Sequence, residues 1–221
     1  MRLLLPLLLL ALAHTNQAAE PMDLAPVKKW IARQDEFRSV QADFTQTRAL
    51  RALRSPVASP GRITFAVPSL LRWELGEPAK TIVIRKGKDY LLIQPSKKKA
   101  EHIPASNIGQ EGGAKGFAMM EFPLATDFPD FNRKFEILAV STEGTRCHLE
   151  ILPRDAQARK FLSALKIDFD TRTSHMISFE MVTRDGSSMR NEFSNVRVNE
   201  KIDRRVFEFD LTGYDVTDAR N

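Results

Sequence analysis

The chain has 221 residues, 43% of them apolar and 28% charged, with 12 Pro and 10 Gly. That is the composition of a folded domain, and it excludes collagen-like and disordered chains. The formal net charge of +5 is a mild excess spread along the chain, and without a nucleic-acid-binding motif it leaves no reason to expect a nucleic-acid partner.

The first element is MRLLLPLLLLALA, one Arg followed by an apolar stretch from Leu3 to Ala13. It is too short to span a bilayer and is followed by small residues, the pattern of a secretory signal peptide. Cleavage after Ala19 gives the more usual length, and Ala11 and Ala13 also fit the small-residue rule. The expected division is a signal peptide over 1–19 and one domain over 20–221. Cys147 is the single cysteine, so there is no disulfide and no lipid-anchoring Cys beside the cleavage region. A soluble periplasmic protein follows as the expectation.

A helix is predicted over Asp23 to Glu36, where Val27, Trp30 and Ile31 fall at helical spacing and Pro26 sits near the first turn. The period then changes to two. In SVQADFTQTRAL, Val40, Ala42 and Phe44 alternate with polar residues, and GRITFAV places Ile63 and Phe65 opposite Arg62 and Thr64. LLRWEL, TIVIR and YLLIQ follow, the last two joined by KGKD, a hairpin signal in which Gly87 accepts a positive φ. PSKKKAEH carries the densest basic run, Lys97 to Lys99. It reads as a solvated turn or a protected edge strand, with docking to an acidic partner or anionic lipid as the functional counterpart.

Regularity breaks between Ser106 and Asn132. Four glycines lie between Gly109 and Gly116, and then comes the apolar run Phe117, Ala118, Met119, Met120 and Phe122. Core packing and a mobile lid over an apolar cavity are equally weighted readings of that run, because Met adapts to varied partners. Strands resume with KFEILAVS, RCHLEIL, ALKIDFD, HMISFEMVT and MRNEFSNVRV, with a possible helical turn in DAQARKF, and IDRRVFEFDL closes the chain. About ten or eleven strands joined by short turns predict an up-and-down antiparallel sheet curling toward a barrel.

Residues able to carry chemistry are few. Past the leader the histidines are His102, His148 and His175, and none has a partner at metal-ligand spacing. Cys147 and His148 are neighbours on a predicted strand, so their side chains point to opposite faces and cannot form a nucleophilic dyad. GQEGGAKG lacks the Ser or Thr of a phosphate loop. The acidic pairs Asp127/Asp130 and Asp168/Asp170 show no obvious partner. No metal, cofactor or enzymatic activity is expected; His175 and Asp170 are the least implausible catalytic participants.

The chain resembles the LolA family, periplasmic carriers that move lipoproteins from the inner to the outer membrane. The resemblance rests on the N-terminal helix, VQADFTQT, the strand pair from Gly61 to Trp73, TIVIRKGKDYLLIQP and KIDRRVFEFDLTGYDV in that order behind a signal peptide. It implies a mainly β fold, an incomplete barrel of about eleven antiparallel strands with helices over its concave side. It also implies partners: acyl chains of a lipoprotein, an inner-membrane ABC exporter and an outer-membrane receptor. Phe44, Phe65, Leu71, Trp73, Val83 and Ile93 are the expected wall of the apolar concavity, and Phe117, Met119, Met120 and Phe122 its lid. Where family members place a latching Arg before the proline of the opening motif, this chain has Val67. Carriage of another lipid (a glycolipid or polyene ester) through a dedicated exporter, or a lipid or lipoprotein sensor, are the alternative readings. A monomer is expected.

Overall fold

The computed structural model describes residues 22–104 and 125–219. The predicted N-terminal helix forms as α1, Ala25–Arg33, and tightens into a 3-10 turn over Gln34–Glu36. Pro26 occupies its first turn and Val27, Trp30 and Ile31 its buried face. In chain order the strands are β1 Ser39–Ala49, β2 Val57–Ala66, β3 Leu70–Leu75, β4 Thr81–Lys86, β5 Asp89–Gln94 and β6 Lys99–Ile103. Then come α2 Phe128–Lys134, β7 Phe135–Glu143, β8 Arg146–Pro153, α3 Ala156–Phe161, β9 Leu162–Asp170, β10 Met176–Thr183, β11 Ser188–Val198 and β12 Asp215–Asp218.

The twelve strands make one curved sheet in the order β12-β6-β5-β4-β3-β2-β1-β11-β10-β9-β8-β7. Two meanders, β1–β6 and β7–β11, join where β1 pairs antiparallel with β11. β7 and β12 end the sheet without meeting, so the barrel is incomplete, as expected.

Directly opposed residues share a face of a sheet, so the register assigns every side chain. On the inner face, the one α1 covers, Phe44 lies opposite Gly61, and Ile63, Trp73, Val83 and Leu92 form one cross-strand row. Val27, Trp30 and Ile31 of α1 bury against Cys147, Leu149, Ile151, Ile167 and Phe169 in the second meander. Trp30 stacks on Phe169 at 4.7 Å between ring centres.

Two expectations change. IDRRVFEFDL adds no strand: Arg204–Phe207 is a 3-10 turn, and Phe209, Leu211 and Tyr214 beyond it pack on the outer face against Ile82, Ile84, Ile93 and Ala100. Arg72, also outward, donates to the carbonyls of Val206 and Glu208 at 3.1 and 3.3 Å and pins the segment there. The added strand is β12, which runs parallel to β6. Second, α2 lies in the stretch read as irregular. Asp127 is its N-cap, accepting from the Asp130 amide at 2.6 Å, and Pro129 sits in its first turn.

Gly61 is where the inner face is tightest. The Phe44 ring lies across it, so a Cβ built there would stand 2.2 Å from Phe44 Cζ and 2.6 Å from the Glu74 carbonyl oxygen. Gly61→Ala is therefore expected to destabilise the protein by about 1–3 kcal/mol, read as a lowered urea midpoint with unchanged slope.

Candidate functional site: an apolar cavity on the inner face

A cavity of about 220 Å³ lies where the turn after α1 crosses the inner face. Its floor is apolar: Val40 and Ala42 from β1, Ile63 and Phe65 from β2, and Phe193, Val196 and Val198 from β11. Phe37 forms one wall, and the β9–β10 connection brings Ser174, His175 and Met176 to another. Polar groups stand at the margin, among them Asp35 and Arg38.

The β11 floor depends on a bulge. Asp43 pairs with Ser194 but Gln41 pairs with Arg197, so β11 carries one residue more than β1 across this interval. Asn195 takes φ 51° there, and its side chain donates to Asp43 Oδ2 at 2.8 Å. The inserted residue shifts the alternation, and Val196 and Val198 return to the face that Phe193 occupies. Without it, Arg197 would enter the floor.

The expected wall residues divide into three groups. Phe65 lines the cavity, and so does Val67. Phe44, Leu71, Trp73 and Val83 lie beside it as a continuous buried layer with Tyr90 and Ile103. Phe44 stacks on Trp73 at 5.3 Å and meets Phe193 edge-on at 6.1 Å. Ile93 belongs elsewhere. It pairs with Ile82 and is fully buried on the outer face under the C-terminal segment, while Leu92 takes the inner position beside Val83. YLLIQ is apolar at four successive positions, so its alternation gives no face, and only register separates Leu92 from Ile93. Phe117, Met119, Met120 and Phe122 lie outside the described residues.

Val67, expected to stand where the family places its latch, sits just past β2 and donates its amide to the Arg38 carbonyl at 3.0 Å. A valine here extends the apolar wall. Phe37, Val40, Ala42, Ile63, Val196 and Val198 were absent from the expected wall. The signal for Val40, Ala42 and Ile63 was the period-two alternation of their strands, but it took the register to show that these strand ends converge.

The reactive side chains lie apart. Cys147 is buried on the inner face, where desolvation pushes its thiol up, and His148 points outward as its strand position requires. On the outer face Asp168 accepts from Ser178 Oγ at 2.8 Å, lies 2.7 Å from His148 Nδ1 and 3.3 Å from Arg190 Nη2. Burial would raise the Asp168 carboxyl, but those hydrogen bonds and the neighbouring positive charge outweigh it and hold the group below its ordinary value. Ser178 donates its hydrogen bond to the Asp168 carboxylate and not to an imidazole, so no Ser–His pair forms here. Four strands supply this cluster, which is why the linear sequence showed no partner for Asp168. His175 and Asp170 touch only through backbone: the Asp170 amide donates to the His175 carbonyl at 3.0 Å. Lys97 ends a 3-10 turn, Lys98 is left-handed and Lys99 opens β6; the run is an exposed turn, and β12 occupies the edge beyond it. Among the described residues no group of three or more His, Cys, Asp or Glu is placed to hold a metal.

An open antiparallel sheet with an apolar inner cavity is the setting in which the comparisons with known proteins fall. The family described as outer membrane lipoprotein carrier protein LolA matches residues 35–210, from the turn after α1 into the C-terminal segment. The chain belongs to the LolA family. An outer-membrane lipoprotein carrier protein of Methylococcus capsulatus is 23% identical over 210 residues, 94% of this chain and 92% of the relative. One from Coxiella burnetii is 25% identical over 175 residues, 78% of this chain and 77% of the relative. Among solved structures, an uncharacterised conserved protein from Thermus thermophilus superposes with a TM-score of 0.53 at 7% identity, covering 86% of this chain and 95% of that one. That likeness is one of fold.

Asp170 fixes the turn that delivers Ser174, His175 and Met176 to the cavity. Its carboxylate accepts first from the Thr173 amide at 2.8 Å, then from the Arg172 amide at 2.9 Å, and its pKa falls from 3.8 to about 2. The folded state therefore binds fewer protons than the unfolded one between those values. The stability this contributes is full above pH ~4 and lost as pH falls toward ~2. Asp170→Asn is expected to be less stable than the parent at neutral pH, with the difference closing by about pH 2 in urea melts.

Proposed function

We propose that this LolA-family chain is a periplasmic carrier that shelters acyl chains of lipoproteins on its inner face and ferries them from the inner to the outer membrane. The observation that carries the reading is the cavity floored by Val40, Ile63, Phe65 and Val198, continuous with the aromatic layer of Phe44 and Trp73. Each methylene moved from water into such a lining contributes about 0.8 kcal/mol, so about ten supply roughly 8 kcal/mol. That is enough to keep a chain out of water and small enough to permit release. Residues 20–221 would form the carrier unit, with 1–19 as its export signal. Loading from an inner-membrane exporter of the ABC type and delivery to an outer-membrane receptor complete the cycle, the energy input lying with the exporter. The chain itself needs only to bind and release.

Val67 favours one variant of this reading. An apolar residue in the cavity wall, where relatives would place a latching Arg, suits a cargo held by burial alone, such as a glycolipid or polyene ester. Lipid retained by protein purified from its native host separates the two cargoes by mass.

The cavity itself is tested by Val67→Glu, which puts a carboxylate into an apolar wall just beyond the end of β2, where the ladder is not interrupted. Burying that charge is costly, so affinity for a fluorescent long-chain acyl probe should fall by at least about tenfold, with the β-sheet circular dichroism unchanged. Unchanged probe affinity in a folded variant would overturn the assignment.

A further inference from the structure

Seven large apolar side chains stand well exposed among the described residues, and four of them gather at one end of the sheet: Leu50 (42%), Leu53 (46%), Val57 (43%) and Phe161 (52%). This is the end opposite the cavity, since β1 runs from Ser39 beside the cavity to Ala49 at the cluster, a span of roughly 35 Å. Three segments build it. The β1–β2 loop turns on the Leu53 amide, which donates to the Leu50 carbonyl at 2.8 Å. The Arg51 amide donates to Ser187 Oγ at 3.1 Å and ties that loop to the β10–β11 turn. The Arg184 amide donates to the Phe161 carbonyl at 2.8 Å and ties the turn to the α3–β9 junction.

The charges between these apolar tips are mostly positive. Arg48 lies opposite Val57, Arg51 and Arg54 flank Leu53, and Arg184 follows β10. The nearby carboxylates are fewer, and of these Glu136 is paired with a cation. Asp185 accepts from Thr183 Oγ1 and the Ser187 amide, Asp155 caps α3, and Glu136 pairs with Arg159. Apolar tips on projecting turns, separated by guanidinium groups, do not make the apolar-centred contiguous surface of a stable protein interface. They match the boundary layer of an anionic bilayer, where leucine and phenylalanine enter beside the acyl chains and arginine meets phosphate. We propose that this end of the protein docks reversibly on an anionic membrane surface. Docked this way, the protein holds its cavity away from the lipid and open to a partner.

The test is flotation of the exported protein with vesicles of phosphatidylglycerol and phosphatidylcholine, against vesicles of phosphatidylcholine alone. The parent should float with the anionic vesicles at low salt and be released at high salt. Combined Arg48→Gln, Arg51→Gln and Arg54→Gln should weaken binding by about fivefold per charge, on the order of a hundredfold together. Leu50→Ser with Leu53→Ser should weaken it as well, at residues whose exposure leaves the fold intact. Leu138→Ser, at an exposed site on β7, should bind like the parent. Equal binding to both vesicle types, no binding, or patch variants that float like the parent would overturn the proposal. So would a dimer, detected by light scattering without vesicles and abolished by the same substitutions.

Discussion

The pairing of β1 with β11 is the interaction on which the rest of the structure depends. It joins two meanders that are otherwise separate, and it makes their inner faces one surface. Phe44 and Phe193 face each other across this seam and Trp73 stacks on Phe44, so one aromatic layer spans three strands of the first meander and the edge of the second. The cavity lies at one end of the same seam. Its β11 floor exists because Asn195 inserts a residue and turns Val196 and Val198 inward.

An apolar face must be covered, and the two meanders solve that in opposite ways. In the second, α1 lies on the inner face and buries Trp30 against Phe169. In the first, the outer face around Ile82, Ile84 and Ile93 is sealed by the C-terminal segment, held by Arg72. The outer face of the second meander is instead polar, centred on Asp168. Among the described residues α1, with Phe131 of α2 beside it, covers the second meander's half of the inner surface, and the turn after α1 borders the cavity over the seam. A sheet covered along its whole inner face would have no room for a ligand, and one left bare would expose its aromatic layer to water.

Much of this was legible in the sequence because alternation is a direct consequence of strand geometry. SVQADFT and GRITFAV announce both their strands and their inner residues, and Phe65 and Trp73 follow from period two alone. What remained hidden depends on pairing between distant segments. Ile93 and Leu92 cannot be told apart within an unbroken apolar run, and the bulge at Asn195 appears only against β1. Phe207, Phe209 and Leu211 alternate like strand residues, yet they serve as a cover because Arg72 and the outer apolar row capture them. α2 is legible in the sequence from Asp127 and Pro129 at its start, an N-cap followed by a first-turn proline. The sequence resemblance located the family, while the register located the cavity.

The proposed carriage requires the inner face around Phe65 and Val67 to contact acyl chains while the opposite face of β2 does not. A photoreactive amino acid placed at Val67 in living cells tests it most directly, with the same substitution at the outward Thr64 as its control. Ultraviolet-dependent cross-links to acylated cargo are expected from position 67 and none from position 64. Equal cross-linking from both positions, or cross-linking from position 64 alone, would contradict it.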